Sequence, residues 1–414
     1  MGFSSGLPLP LTVATLSFWL AEAKVSLTTI GLFALIGVPY SIKFIWSPLI
    51  DRLPLPGLTA SLGRRRSWAL AIQALLALAI LALGATDPAT RPFLTALAAL
   101  SVAFLSASQD IVIDAFRIEL LAVEDQGNGA AVTQWGYRLG MLASSAGALY
   151  AAEFGGWFFA FALMAALMGV GIVTVWLVEE PDVPGATLAP LQGEWGERVW
   201  RWLGEAVVAP FLDLIKRQDC LAILLFILFY KFGDALAGRM ANPLYVELGF
   251  SKSEVASISK LFGLVATLAG LGAGGALVYR IGIFRSLLLC GLLQIGSNLT
   301  YLLQYEVGHH LGVLTLTIFI ENFVGGMESA AFVAYLSQLC NRSFTATQYA
   351  LLSSLASVGR TMLSASAGDL VERLGWELFF VTAATAAVPG LLLLVWLIHR
   401  TPAETVRIGP ALRT

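Results

Sequence analysis

Apolar segments of roughly membrane-spanning length recur along the whole 414-residue chain, separated by short polar stretches. A helix that crosses a bilayer needs about 20 mostly apolar residues, because each residue advances the helix by about 1.5 Å. One polar interruption, in the middle of the chain, is much longer than the others. The pattern predicts twelve transmembrane helices, near residues 3–20, 27–50, 68–84, 93–115, 131–151, 157–178, 220–241, 254–278, 286–304, 312–339, 348–367 and 377–398.

The composition agrees with lipid as the main solvent. The chain is 57% hydrophobic and only 13% charged, whereas a soluble domain has about 25% charged residues. A net charge of −2 without a basic face argues against a nucleic-acid partner. The first segment lacks a preceding basic stretch, which favours a spanning helix over a cleaved signal. The three cysteines are scattered and form no CxxC pair, so no disulfide framework or zinc site is implied. We expect neither a metal nor a cofactor.

Basic residues outside the spans predict the orientation. With both termini in the cytoplasm, the inner loops hold fifteen Lys and Arg residues and the outer loops hold four. Cytoplasmic loops of membrane proteins carry such an excess of positive charge. We therefore expect cytoplasmic N- and C-termini.

The long central interruption begins as a polar linker rich in proline and glycine. Further on, Trp195, Val199, Trp202 and Ala206 share one helical face with arginines beside it, which indicates an amphipathic helix in the cytoplasmic interface. A plain linker with a buried aromatic patch fits the same residues. The predicted order is an N-terminal six-helix bundle, a linker, a C-terminal six-helix bundle and a cytoplasmic tail, at residues 1–180, 181–219, 220–400 and 401–414.

The two halves of the chain repeat each other weakly. A shift of 219 positions places residues 104–121 on 323–340, and Gly140 on Gly359. Two related six-helix halves predict an all-α membrane protein with two pseudo-symmetric bundles, the arrangement of the major facilitator transporters. Chance similarity between apolar helices would produce a comparable register.

The loop after the second predicted helix resembles the loop motif of the major facilitator superfamily, a Gly, then Asp-Arg, then Gly followed by basic residues. Residues 51–52 and 63–66 supply its two parts, with Ser47 at the position of the first Gly. A second copy at 274–285 lies in the equivalent loop of the second half and has Tyr279 in place of the Asp. Two copies at the two expected places indicate the fold and say little about the substrate.

Two acids and a base share one face at the cytoplasmic end of the fourth predicted helix. Residues step by 100° around a helix, so Asp110, Asp114 and Arg117 lie within about 60° of one another, whereas Glu119 points the other way. A charge cluster that ties this helix to the basic loop would close the cytoplasmic side in one state and open it in the other. The predicted cytoplasmic gate comprises Asp51, Arg52, Arg64, Arg65, Arg66, Asp114 and Arg117.

Further charges lie within the spans, where each ion costs about 2.5–3.5 kcal/mol at the bilayer centre. Such ions must face a partner or a watery cavity, and a cavity here would suit a polar, charged substrate. The proton-coupling candidates are Asp110, Glu321 and Asp234, with structural pairing as the rival interpretation. The substrate-binding candidates are Lys231, Arg138, Arg360, Gln109, Gln134, Asn322, Tyr137, Trp135 and Tyr230. For the aromatic residues, helix packing is the more common role.

Longer stretches carry a more specific resemblance. The segments "SASQDIVIDAFR", "GYRLGML", "YKFGDALAGR" and "LCNRSFTATQYALLSSLASVGR" closely resemble the AmpG-type muropeptide permeases of the peptide/acetyl-CoA transporter family. The resemblance implies proton-driven import of anhydro-muropeptides, GlcNAc–anhydroMurNAc with or without a stem peptide, across the bacterial inner membrane for peptidoglycan recycling. In some bacteria, such import influences β-lactamase induction. We expect a monomer in the lipid bilayer, with this substrate and protons as its partners.

Other functions stay open at this point. A related carrier for an oligopeptide, an oligosaccharide or an acyl-CoA would present similar residues. A membrane enzyme is disfavoured, because the sequence contains no HExxH and no P-loop and its three histidines lie in a loop or at a helix end. A channel or receptor would not need paired halves with two copies of the loop motif, which favour alternating access.

Overall fold

The computed structural model describes residues 1–25, 33–181, 204–251, 254–255 and 257–400, without the side chains of Ala34 and residues 259–261. Within these ranges the chain forms helices and short connections, and no strand occurs among them. Most of the predicted interfacial helix and the tail at 401–414 lie outside the described residues. Ala206 lies inside them, buried in a short π-helical segment, Gly204–Val208.

The helices of the first half include several short pieces. Their bounds are α1 Gly2–Gly6, α2 Pro8–Thr12, α3 Ala14–Glu22, α4 Val38–Ile42, α5 Ser47–Arg52, α6 Thr59–Leu62, α7 Arg64–Gly84, α8 Pro92–Leu120, α9 Gln126–Leu142, α10 Ala148–Leu167 and α11 Gly169–Leu177. Pro8, Pro39 and Pro48 each stand at the first or second position of a short helix. Proline is tolerated there because it lacks only an N–H that has no partner within the helix, but it ends the helix that precedes it.

The helices of the second half are longer. Their bounds are α12 Ala209–Ile215, α13 Cys220–Phe229, α14 Phe232–Glu247, α15 Gly263–Ile281, α16 Ile283–Val307, α17 Leu311–Gln338, α18 Thr345–Ser364, α19 Ala367–Thr385 and α20 Val388–Arg400.

In the described part of the chain, nine helical stretches are long and apolar enough to cross a membrane. One of them, Gln126–Leu177, holds two passes, because Gly156 interrupts it with φ 78° and ψ 172°. The broken helices between Phe33 and Ile50 supply another pass, and α18 with the beginning of α19 supplies one more. These passes bring the described total to the twelve that the sequence predicts, and the multi-pass architecture is confirmed.

The residues form two compact units, and each borrows a short segment from the other half of the sequence. Unit 1 comprises 1–121, 133–212 and 340–354, whereas unit 2 comprises 122–132, 213–339 and 355–414. These bounds differ from the predicted bundles at 1–180 and 220–400. The beginnings of α9 and α18 change sides, and the described part of the predicted linker is divided between the units after Leu212.

Each unit has its own apolar core. In unit 1, Leu11, Leu76 and Phe161 lie in one buried cluster, and the rings of Trp19 and Trp157 stack at 5.4 Å. In unit 2, Tyr301 and Phe380 stack at 5.3 Å beside the buried Leu236 and Leu314. The polar residues described below project from helices that these cores hold in place.

Two pairs of glycines reveal the repeat in the backbone. Gly63 has φ 85° and ψ 172°, and Gly282 has φ 82° and ψ 164°. Gly156 and Gly375 form a second pair, with φ 78° and 76° and ψ 172° and 170°. This region of backbone space is open to essentially no residue but glycine. Both pairs are related by 219 positions, the same shift that aligns residues 104–121 with 323–340.

Candidate functional site

Unit 1 contains a buried ion triad in which Arg65 lies between two carboxylates. The Arg65 Nη2 atom is 2.6 Å from Asp51 Oδ1 and 2.5 Å from Glu119 Oε1, and its Nε atom donates to Glu119 Oε2 at 2.9 Å. All three side chains are almost inaccessible to solvent. The triad therefore joins α5, the start of α7 and the end of α8 through hydrogen bonds to charged groups, which are the stronger kind.

The first turn of α7 is capped from the end of α11. The Glu180 carboxylate accepts hydrogen bonds from the backbone N–H groups of Arg65 and Arg66, at 2.7 and 2.9 Å. An anion at a helix N-terminus satisfies otherwise unpaired donors and stabilises the helix dipole. The Arg66 side chain in turn donates to the carbonyl groups of Val175 and Trp176.

Asp51 has further partners within unit 1. Its Oδ2 atom accepts from the backbone N–H of Thr347 at 3.2 Å and from the Thr347 hydroxyl at 3.0 Å, and its backbone carbonyl accepts from Arg64 at 2.5 Å. Burial alone would raise the pKa of Asp51, but the guanidinium groups of Arg65 and Arg64 and these hydrogen bonds hold that pKa below its usual range. Next to it, Arg52 is buried with its guanidinium 4.7 Å above the ring of Phe344.

The remaining predicted gate residues pair with each other. Asp114 and Arg117 form an ion pair at 3.7 Å, one turn apart on α8, and Arg117 lies 5.8 Å from the centre of the Tyr349 ring. Glu119, which the sequence places on the opposite face from Asp110, makes the ionic link to Arg65 instead. Glu119 is absent from the predicted gate because the other charges at this end of α8 share a different face.

A second polar cluster in unit 1 surrounds Asp110. Its Oδ1 atom accepts from the Ser5 hydroxyl at 2.5 Å. Lys43 is buried and interacts electrostatically with both Asp110 and Asp114, and Tyr40 is close to the Asp110 carboxylate as well. One ammonium group thus lies near two carboxylates. Ser5 and Lys43 are not among the candidates drawn from the sequence, although a lysine within an apolar span was a usable signal.

The other unit 1 candidates differ in how exposed the side chain is. Gln109 is buried, and its amide donates to the Ser4 carbonyl at 2.8 Å, so it is engaged in helix packing. Tyr137 lies near Tyr40. Of the remaining candidates on α9, Arg138 and Trp135 are exposed and Gln134 is partly exposed.

In unit 2, Lys231 lies among two carboxylates and a hydroxyl group. Its Nζ atom is 3.2 Å from Glu328 Oε2, 3.9 Å from Asp234 Oδ2 and 3.3 Å from Ser329 Oγ. The Glu328 side chain is fully buried, whereas Lys231 and Asp234 are partly exposed. Glu328 was not among the site residues that the sequence analysis selected, yet it is the nearer carboxylate of the cluster.

The surroundings of this cluster include Gln294, which donates to Asp234 at 3.4 Å. Arg360 is exposed and interacts electrostatically with Glu328. Tyr230, predicted as a substrate contact, is buried in packing: its hydroxyl donates to the Leu287 carbonyl at 2.8 Å, and its ring stacks on another aromatic ring.

Glu321 and Asn322 form a separate polar group on α17. The Asn322 amide donates to the Glu321 carboxylate at 3.0 Å, and its oxygen accepts from the Thr267 hydroxyl at 3.0 Å. Tyr245 and Tyr301 interact electrostatically with Glu321. Glu321 is partly exposed, so it can exchange a proton or meet a polar ligand.

The two deeper clusters share one chemical property. Lys43 with Asp110 and Asp114, and Lys231 with Asp234 and Glu328, each combine one ammonium group with two carboxylates. In each set an arginine also interacts with one of the carboxylates, Arg117 with Asp114 and Arg360 with Glu328, so groups of both signs meet there. Among the residues that the structure describes, no group of His, Cys, Asp and Glu side chains has an arrangement that could hold a metal ion.

Two family models match the chain. The model of acetyl-coenzyme A transporter 1 matches residues 1–96, and the Major Facilitator Superfamily model matches residues 223–413. Curated relatives match nearly the whole chain. The anhydromuropeptide permease of Escherichia coli (strain K12) is 43% identical over 413 residues, covering 99% of this chain and 80% of that protein. Putative transporter AmpG 4 of Rickettsia felis is 37% identical over 401 residues, covering 96% and 94%.

Solved transporters of low sequence identity share the architecture. The Escherichia coli fucose:proton symporter superposes with a TM-score of 0.69 at 12% identity, covering 97% of each chain. A proton:xylose symporter superposes with a TM-score of 0.66 at 13% identity, covering 96% of this chain and 92% of that one. At such identity these similarities establish the fold alone.

Proposed function

The chain belongs to the AmpG family of permeases within the major facilitator superfamily, and on that basis we propose that it imports anhydro-muropeptides. The relationship over nearly the full chain to a permease named for this substrate is the observation that carries the proposal. Import would proceed by alternating access across the bacterial inner membrane, with both termini in the cytoplasm and the protein acting as a monomer.

The charged clusters support a substrate with groups of both signs. A stem peptide brings carboxylates and an ammonium group, and the saccharide brings hydroxyl and amide groups. Lys231, Arg360 and Arg138 offer positive charge, whereas Asn322 and Gln134 offer amide groups. Ions at such depth cost free energy unless they are paired or used, so a transported ligand with both charges gives them a function.

Proton coupling is proposed to use acids of the two deeper clusters. Asp110 in unit 1 interacts with Lys43, and Glu328 and Asp234 in unit 2 pair with Lys231. Glu321, bonded to Asn322, is a further candidate. Protonation of such an acid would release its lysine partner to a substrate carboxylate and favour the loaded state.

The experiment is uptake of labelled GlcNAc–anhydroMurNAc-tetrapeptide into proteoliposomes, with and without an inward proton gradient. We expect accumulation that collapses on addition of a protonophore. The neutral variants Asp110→Asn, Glu328→Gln and Glu321→Gln should each be tested for accumulation and for counterflow, which needs substrate exchange without net proton movement. Loss of accumulation with retained counterflow would assign the proton site, whereas full accumulation would remove that residue from the mechanism.

Asp87→Asn is the matched control, because Asp87 is an exposed loop acid whose side-chain bonds, among the described residues, are to Ala89 and Thr90 of its own turn. Competition with oligopeptides, sugars and CoA esters tests the alternative substrates. The match of residues 1–96 to an acetyl-coenzyme A transporter model makes the CoA ester the most informative competitor. Uptake of a CoA ester in place of the muropeptide would overturn the proposed substrate.

A further inference from the structure

A cavity of about 590 Å³ lies in unit 1 where α3 ends and α10 bends. Its volume falls within the range of about 300–1,000 Å³ that is typical of small-molecule sites. Glu22 is the last residue of α3, and Gly156 marks the bend of α10. With cytoplasmic termini, both points lie at the outer ends of their helices, so the cavity is on the side from which an imported substrate arrives. The lining residues are Phe18, Glu22, Ala146, Leu149, Tyr150, Ala152, Glu153, Gly156 and Trp157.

Two carboxylates supply the charge of this cavity. The indole Nε1 of Trp157 donates to Glu22 Oε2 at 2.7 Å, which fixes the carboxylate against the aromatic wall. The Glu22 side chain is exposed and can therefore meet a ligand. Glu153 is exposed within the same lining. Among the described residues that line the cavity, none is basic. A ligand group that enters the cavity therefore meets negative charge without a neutralising partner from the lining.

Aromatic rings supply the walls. Phe18 and Tyr150 are exposed by 56% and 66%, although they are large hydrophobic side chains. Trp157 is held in place by stacking on Trp19 at 5.4 Å and by contact with Phe18 at 6.3 Å between ring centres. Ring faces attract cations, tryptophan most strongly. Carboxylates beside aromatic faces form the combination that recognises an organic ammonium group.

The geometry points to an outer subsite that binds the ammonium group of the stem peptide, an inference that rests on the proposed function. The ammonium group would donate to Glu22 and Glu153 while its carbon chain lies against Trp157, Tyr150 and Phe18. Since the stem-free disaccharide lacks an ammonium group, the subsite would distinguish peptide-bearing substrates from the bare disaccharide.

The test compares three labelled substrates: GlcNAc–anhydroMurNAc-tetrapeptide, the same compound with its free amino groups acetylated, and GlcNAc–anhydroMurNAc. In the wild type, we expect acetylation to raise KM on the order of tenfold, the scale of a charge-assisted hydrogen bond with a cation–π contact. In the Glu22→Gln/Glu153→Gln double variant, KM for the unmodified peptide substrate should rise by a similar factor. Acetylation should then have no further effect, and KM for the disaccharide should match that of the wild type.

Glu306→Gln is the matched control, because Glu306 is an exposed acid of unit 2 outside this lining. It should leave all three KM values unchanged. An equal rise in KM for all three substrates in the double variant would overturn the subsite. So would a wild type whose KM is the same for the acetylated and the unmodified peptide substrate. Thermal unfolding of the purified double variant verifies its folding, and if it is unfolded, Glu22→Gln and Glu153→Gln are tested singly by the same criteria.

If the wild type takes up none of the three compounds, the proposed function fails, and binding of the free tetrapeptide to the purified protein then decides the subsite. A Kd that is weaker by about tenfold in the double variant, and after acetylation, would support it. Equal Kd values, or no binding by the wild type, would overturn it.

Discussion

The turn at Gly63 and the turn at Gly282 have nearly the same backbone conformation but are held by different side chains. On the 219-residue shift, Arg65 corresponds to Phe284 and Glu119 corresponds to Gln338. The first turn has the buried ion triad. In the second, Phe284 meets the ring of Tyr335 edge-on at 5.9 Å between ring centres.

The two turns share the features that their backbone requires, and the ion triad is present in the first turn in addition. Both turns need a glycine, because no other residue adopts this backbone conformation without strain. The second turn forms without a triad, so the ions are not required to build it. Replacing a buried ion triad by apolar residues is often neutral or stabilising. We therefore infer that Asp51, Arg65 and Glu119 are kept for a conformational role, in line with the predicted gate.

The largest effect is expected from Arg65→Leu. The change leaves the buried carboxylates of Asp51 and Glu119 without their cation, which should cost about 3–5 kcal/mol in the free energy of unfolding. Phe284→Leu, at the corresponding position, should cost less than about 1.5 kcal/mol because it exchanges one apolar group for another. Denaturant unfolding of both variants in detergent micelles measures the difference, and equal losses would contradict it.

A triple variant isolates the purpose of the triad. Asp51→Asn with Arg65→Phe and Glu119→Gln removes all three charges and introduces the second turn's residues at two positions. Stability should recover most of the loss seen in Arg65→Leu, since no buried charge remains unpaired. Transport should stay impaired if the triad has a gating role. Normal transport by a stable triple variant would show that the ions are dispensable.

The next effect in size is expected from Gly63→Ala. Backbone strain should cost about 1–3 kcal/mol, and the new methyl group would lie 2.4 Å from the Cγ and Cδ atoms of Glu180, displacing the cap of α7. Gly375→Ala is the control. An added Cβ there has open space, so this variant suffers the backbone strain without a steric clash. Unfolding free energies should rank Gly63→Ala as the more destabilising change, and the reverse order would rule out the cap as the cause.

A smaller effect is expected from Glu180→Gln. Loss of the negative charge at the start of α7 should cost about 0.5–2 kcal/mol. The corresponding residue of the second half is His399, which is exposed. In the described part of the chain its ring bonds to the Val395 carbonyl of its own helix. His399→Gln should change stability by less than about 0.5 kcal/mol. Hydrogen exchange in the first turn of α7 provides a local measurement, and unchanged protection there would exclude the capping role.

The smallest effect concerns acid. The pKa of Asp51 in the folded protein is held below its usual value. The contribution of its carboxylate to the free energy of unfolding is therefore complete above the unfolded pKa of about 3.9, and it is lost as the pH falls through the folded pKa. The second turn has Tyr279 at the equivalent position of the loop motif. We therefore expect its stability not to change with pH in this range. Hydrogen exchange, corrected for intrinsic rates, should show protection of residues 64–67 falling below about pH 4, while residues 283–286 keep theirs. Equal responses would contradict this assignment.

Most of the fold follows from one-dimensional patterns. Hydropathy finds the passes because a bilayer demands long apolar helices, and the loop motif with its repeat indicates the superfamily. The second pass is harder to describe in advance, because Pro39 and Pro48 divide it into short helices.

The site is less predictable because its contacts join distant parts of the chain. Glu180 caps a helix that begins more than 100 residues earlier, and helical periodicity carries no information about such a pairing. The helical angle between Glu119 and Asp110 placed Glu119 outside the predicted gate. The structure shows that Glu119 is buried against Arg65, a contact that helical angles along α8 do not reveal. Depth alone also selected Tyr230, whose ring and hydroxyl are both engaged in packing.

The borrowed segment at 340–354 has a consequence for biosynthesis. Asp51 is made early, yet its partner Thr347 is added 296 residues later. A nascent chain that stops at the central linker therefore cannot complete unit 1, however well its first six helices insert. Until the ribosome has passed residue 354, Asp51 lacks its late partner and Arg52 lacks the ring of Phe344. Separately expressed halves should consequently need each other to mature, with the second half finishing the core of the first.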